Sequence, residues 1–115
     1  MTEILKDTIQ SFNEYLPRVV AGSHDIAESL RSDNVAVALP MILDFSEGMS
    51  WLVEAIELFK INEVDANLHI DRIHEFLNEI NAGLEMQDYV LVADMFEYEI
   101  APFFEEASPI VAFQN

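Results

Sequence analysis

The chain has 115 residues, no cysteine, and 22 acidic against five basic residues, for a formal net charge of −17. The lack of cysteine excludes disulfides, thiolate metal sites and cysteine nucleophiles, and points to a reducing compartment. The charge repels nucleic-acid phosphate and anionic lipid, so neither is an expected partner, while a 51 % apolar composition supplies a core that disordered chains lack.

No basic stretch followed by an apolar run opens residues 1–7, so no signal peptide is read. Nothing approaches the ~18 uninterrupted apolar residues of a membrane span. The expected location is the cytoplasm, and the length fits a single domain over 1–115.

The first segment carries Leu5, Ile9, Phe12, Leu16, Val19, Ser23, Ile26 and Leu30 at steps of four and three, the spacing of one helix face. Pro17 interrupts the hydrogen-bond ladder, but the phase persists across it. The spacing predicts one bent helix over about 2–31, with two helices broken at Leu16 as the alternative.

Ser32-Asp33-Asn34 reads as a turn with a capping residue. A second helix over about 34–60 places Val35, Leu39, Ile42, Phe45, Met49, Leu52, Ile56 and Phe59 on its seam. It bends near Pro40, and Gly48 marks a close helix approach. Asp65 is the expected cap of a third helix over 66–82, which Gly83 closes in the left-handed conformation. The fourth helix, about 88–106, is disturbed by Pro102, and an apolar tail follows at 108–115. Asp33-Asn34-Val35-Ala36-Val37-Ala38 echoes Asp88-Tyr89-Val90-Leu91-Val92-Ala93, which suggests two similar hairpins. The expected architecture is all-α: an antiparallel four-helix bundle built from two helical hairpins.

Catalytic chemistry finds little support. The densest polar cluster, Asp65, His69, Asp71, His74 and Glu75, offers one Asp-x-x-His where carboxylate-bridged metal bundles need paired Glu-x-x-His motifs. On one helix His69 and His74 stand about 140° apart, so His69, Asp71 and His74 make a poor metal set. Nucleophile elbows and phosphate loops are missing. No cofactor and no enzymatic activity are expected.

The surplus of apolar residues says more. On the fourth helix Tyr89, Val92, Ala93, Phe96, Ile100 and Phe103 suffice to face a core, yet Leu91, Met95 and Tyr98 form a second stripe. On the second helix Met41, Trp51, Leu58 and Phe59 exceed one seam, whereas a surface helix ordinarily has one apolar stripe. Asp44, Glu47, Glu54 and Glu57, like Asp94 and Glu97, read as solvated acidic stripes. The expected function is a non-enzymatic, adaptor- or chaperone-like module. Trp51, Leu91, Met95 and Tyr98 would anchor a basic or amphipathic protein partner steered by the acidic rim. A small-molecule or metal-binding bundle and a structural homodimer are the alternatives.

Two stretches, Phe45-Ser46-Glu47-Gly48-Met49-Ser50-Trp51-Leu52-Val53-Glu54-Ala55-Ile56 and Asp88-Tyr89-Val90-Leu91-Val92-Ala93-Asp94-Met95-Phe96-Glu97-Tyr98-Glu99, resemble segments of small, acidic, uncharacterised helical proteins of Gram-positive bacteria. That resemblance implies no catalytic motif. A looser similarity in type links the chain to small helical chaperones of flagellar and secretion systems, without their motifs.

Overall fold

The computed structural model describes residues 2–111, and among these every regular element is helical. α1 spans Glu3–Arg31 and α2 spans Val35–Ile61. α3 spans Ile70–Glu85. The fourth rod is composite: α4 (Tyr89–Met95), a π turn (Phe96–Ile100) and α5 (Ala101–Glu105).

In α1 all eight residues of the expected seam are buried, and the Thr2 hydroxyl caps the helix by accepting from the Leu5 N–H at 3.1 Å. The helix continues unbroken through Pro17. An interior proline costs about 3 kcal/mol of helix propensity, and the buried neighbours Leu16 and Val19 hold the chain in helix against that cost. The break at Leu16 is therefore not observed. On α2 the seam differs by one position at its start, because Ala38 is buried and Leu39 faces solvent.

The three connections share a feature that no glycine announces. Asp33, Glu63 and Gln87 each adopt a positive φ near 60° directly after a helix C-cap. The following N–H groups return to the last helical turn: Asn34 to Ser29 O at 2.8 Å, Val64 to Phe59 O at 2.8 Å, Asp88 to Gly83 O at 2.9 Å. These are Schellman closures, made with side chains that prefer other backbone regions.

α3 begins and ends later than expected. Val64, Ala66 and Leu68 point inward alternately, and the Asp65 carboxylate accepts the Asn67 N–H at 2.8 Å in a local turn rather than capping a helix. At the other end Gly83 stays inside the helix and Gln87 takes the left-handed position. Gly83 serves close approach instead, since a Cβ there would stand 2.7 Å from a Val92 methyl.

The first and third turns run C-cap, left-handed residue, N-cap: Ser32-Asp33-Asn34 and Met86-Gln87-Asp88. Asn34, not Asp33, therefore corresponds to Asp88, and the sequence echo is offset by one residue. Only Asp88 caps with its side chain, accepting from Leu91 N–H at 3.1 Å.

The π turn answers Pro102, which has no N–H to give Tyr98 and whose ring would strike that carbonyl in a regular helix. The Ala101 N–H reaches back five residues to Phe96 O instead, as in other π-bulges. The wide turn slows the rotation of side chains around the rod. Val92, Phe96, Ile100 and Phe104 are buried at an even interval of four, and Phe104 takes the place expected of Phe103.

α1 is the hub of the fold. It packs on α2 along one side and on α4, the π turn and α5 along another, while α3 leans on α4 and more lightly on α2. Pairings along α1 run in reverse order down both neighbours. Phe12 meets Phe59 edge-on at 5.2 Å and Tyr15 meets Trp51 at 5.9 Å, while Asn13 reaches Ile110, His24 Glu105 and Arg31 Asp94. Phe45 on Phe96 and Phe76 on Phe103 complete a continuous apolar cluster inside a body 49 × 21 × 21 Å. The tail contributes Ile110 to the core, and its expected continuation, 112–115, lies outside the described residues.

Candidate interaction surface

The residues expected to form one apolar contact face are separated. Met95 is only 2 % exposed and packs in the core beside the π turn, so it is unavailable to a partner. Trp51 is 36 % exposed and sits midway along α2, its ring edge-on to Tyr15 of α1. Leu91 and Tyr98 remain outward, at 45 % and 65 % exposure. Of the other surplus residues, Phe59 is fully buried, and Met41 and Leu58 are half-buried against the core.

A different group of apolar side chains is exposed. Val37, Leu39 and Leu43 of α2 face solvent, as do Met86, Val90 and Leu91 around the α3–α4 turn. Both sets belong to one end of the molecule, since Arg31, at the close of α1, bonds Asp94 of α4 at 2.8 Å and Phe45 of α2 packs on Phe96. Ile4 and Ile61, also exposed, stand apart from this group at the start of α1 and the end of α2. The signal was present in sequence: Leu39 and Leu43 are four apart with Ala36 and Pro40 on the same face. Assigning Leu39 to the seam concealed it.

Acids surround this end. Asp33, Asp44, Glu85 and Asp88 are exposed, and Asp94 and Glu97 grip Arg31, which lies 5.8 Å over the Tyr98 ring. Asp94, with Glu97 assisting, holds that guanidinium more firmly protonated. Glu97, as hydrogen-bond acceptor and neighbouring charge, raises the Tyr98 pKa, with Arg31 opposing. Arg72 makes a second clamp, bonding Glu75 and Glu99 at 3.3 Å while lying 4.3 Å over Phe76. The π turn is thus held from α1 and from α3.

α2 is also long and apolar enough to cross a membrane by length and composition, with a mean hydropathy of 1.3 over an 18-residue window that is 28 % buried. Within the fold Phe45, Met49, Leu52 and Phe59 of the same helix are buried in the core.

The polar cluster does not come together as a ligand set. His69 precedes the first residue of α3 without a side-chain capping bond, and it lines an open cavity of about 490 Å³ with Lys60, Asp65 and Asp71. His74 is exposed one turn further along α3. Among the described residues no three His, Asp or Glu side chains, these included, are placed to hold a metal ion.

A family model described as a domain of unknown function (DUF8042) matches residues 7–109. An uncharacterised protein of Treponema pallidum (strain Nichols) is 31 % identical over 97 residues, covering 76 % of this chain and 48 % of that protein. The chain thus spans about half the length of that relative. No solved structure matches. With a bacterial relative of the chain also found, and the family model covering nearly the whole described chain, the protein belongs to the DUF8042 family of domains of unknown function.

Proposed function

We propose that the protein is a non-enzymatic interaction module, acting in the cytoplasm, that receives a basic amphipathic helix of a partner protein on the end formed by the α1–α2 and α3–α4 turns. The observation that carries this reading is the exposure of six large apolar side chains there, Val37, Leu39, Leu43, Met86, Val90 and Leu91, among acidic neighbours. Scattered exposed apolar residues are ordinary, but a group of them rimmed by one sign of charge favours a partner of the opposite sign. The net charge of −17 supports a basic partner and disfavours a second copy of the same chain.

The test uses an 18-residue Lys/Leu amphipathic peptide as probe, with binding heats measured on the wild type, Leu43→Glu and Val90→Glu. Binding by the wild type that both substitutions weaken at least tenfold, and that added salt also weakens, supports the reading. No wild-type binding, or equal binding by all three proteins, overturns it. Sedimentation at several concentrations separates this from a structural homodimer, which would associate without peptide and lose that association in the same variants.

A further inference from the structure

Beyond α5 the chain leaves helical structure and crosses α1, where Asn13 holds Ile110 by both ends of its amide. Asn13 Nδ2 donates to the Ile110 carbonyl at 3.0 Å, and its Oδ1 accepts the Ile110 N–H at 2.8 Å. One side chain thereby takes both main-chain groups of a single residue, as a strand neighbour does when it binds a peptide by backbone alone. Ile110 is buried, while Ser108 and Pro109 on its N-terminal side stay exposed.

The place where this happens is set by sequence. Pro17 removes the N–H that would bond the Asn13 carbonyl in a regular helix, and its short ring leaves a notch on α1 beside Leu16 and Val20. An apolar cavity of about 300 Å³ remains there, lined by Leu16, Pro17, Val20, Phe104, Ala107 and Pro109. The tail occupies the notch without filling it, and the Asn13 amide gives both backbone groups of the buried Ile110 their partners.

We infer that the notch between α1 and α5 is a receiving site for an extended proline–aliphatic peptide, and that Pro109-Ile110 occupies it as an intramolecular competitor. Asn13 takes the backbone of the aliphatic residue, whose side chain stands where Ile110 now sits. The preceding proline lies against the apolar wall of the notch. The seated occupant itself defines the ligand chemistry. Glu105 beside the notch adds a preference for peptides without acidic residues. A short tether keeps the internal segment at an effective concentration of order mM, so a peptide from another chain binds strongly only when the tail is displaced. This site is separate from the apolar end of the bundle, and either can fail without the other.

The probe is a fluorescein-labelled peptide Ala-Ser-Pro-Ile-Val with capped ends, followed by anisotropy against the 115-residue chain. The Ile110→Asp variant releases the tail and is expected to bind the probe at least tenfold more tightly than the wild type. Adding Asn13→Ala is expected to remove at least tenfold of that affinity. Equal binding by wild type and Ile110→Asp, or binding indifferent to Asn13→Ala, overturns the proposal. Should circular dichroism show Ile110→Asp unfolded, Ile110→Gly takes its place in the same comparisons. In the wild type, millimolar unlabelled peptide should shift the Asn13 side-chain amide resonances, and unmoved resonances would overturn the proposal as well.

Discussion

The Tyr15 hydroxyl stands in the space that a side chain on Gly48 would occupy. α1 and α2 approach closely at this point because α2 offers bare backbone there, and the Trp51 ring meets Tyr15 edge-on beside the contact. Gly48→Ala would gain about 1 kcal/mol of helix propensity. It would also push the tyrosine out of place, and overpacking of this kind costs about 1–3 kcal/mol. The expected net effect is a loss of stability in urea unfolding, part of which Tyr15→Phe in the same chain restores.

The three glycines should respond with different signs. A Cβ on Gly22 meets nothing within 4 Å, whereas one on Gly83 meets a Val92 methyl at 2.7 Å. Gly22→Ala therefore raises stability by about 0.5–1 kcal/mol through propensity and the stiffer unfolded chain. Gly83→Ala forfeits that gain, and Val92→Ala combined with it lessens the clash. Thermal unfolding of the two single variants would show opposite shifts in Tm; shifts of the same sign count against this account.

Left-handed residues without glycine leave stability in reserve. Glu63 and Gln87 each hold a positive φ, a region that costs most residues with a Cβ about 1–2 kcal/mol, though less for the aspartate at Asp33. After the entropy of glycine in the unfolded chain is set against that, Glu63→Gly and Gln87→Gly should each stabilise by roughly 0.5–1 kcal/mol. Asn67 also has positive φ, but asparagine tolerates it well, so Asn67→Gly should be nearly neutral. Denaturant midpoints for the three variants decide the matter.

Tyr15 gives the fold an alkaline limit. Burial pushes its phenol above the ordinary value of 10, with Asp44 adding and Arg18 opposing. Between pH 10 and the raised folded pKa the native chain binds more protons at this group than the unfolded chain. Stability contributed by Tyr15 is therefore complete below pH 10 and declines as pH climbs above it. Urea midpoints measured across that range should fall with pH, and Tyr15→Phe should reduce the slope.

α1 was legible in the sequence because its seam departs from apolar residues only at Ser23, whose hydroxyl donates to the Val19 carbonyl, and each of those eight residues is buried. α2 was legible except at its start, where Ala38 and Leu39 compete for one seam position, and the choice decides which of them faces solvent. The boundaries of α3 were obscured by residue types. Gly83 attracted the left-handed role that Gln87 fills, and Asp65 resembled a cap while serving an Asx turn. Pro102 was visible as a disturbance, but its result, a π turn that buries Met95 and Phe104, depends on packing against Phe45 and α1. The expected apolar face came apart for the same reason, with Met95 turned into the core: a shift of one residue in phase moves a side chain by about 100° around a helix.

The unequal sharing of contacts around α1 sets the order in which the molecule comes apart. α1 is clasped along its length by α2 and by the fourth rod, while α3 is held chiefly by α4 and through Phe76 on Phe103. Segments with fewer partners open at lower free energy than the global transition. Spontaneous breathing of this protein therefore begins with α3 swinging away from α4, exposing Phe76 and Ile80 while the α1–α2 hairpin stays closed. Amide hydrogens of α3 would then exchange in events too small to unfold the chain.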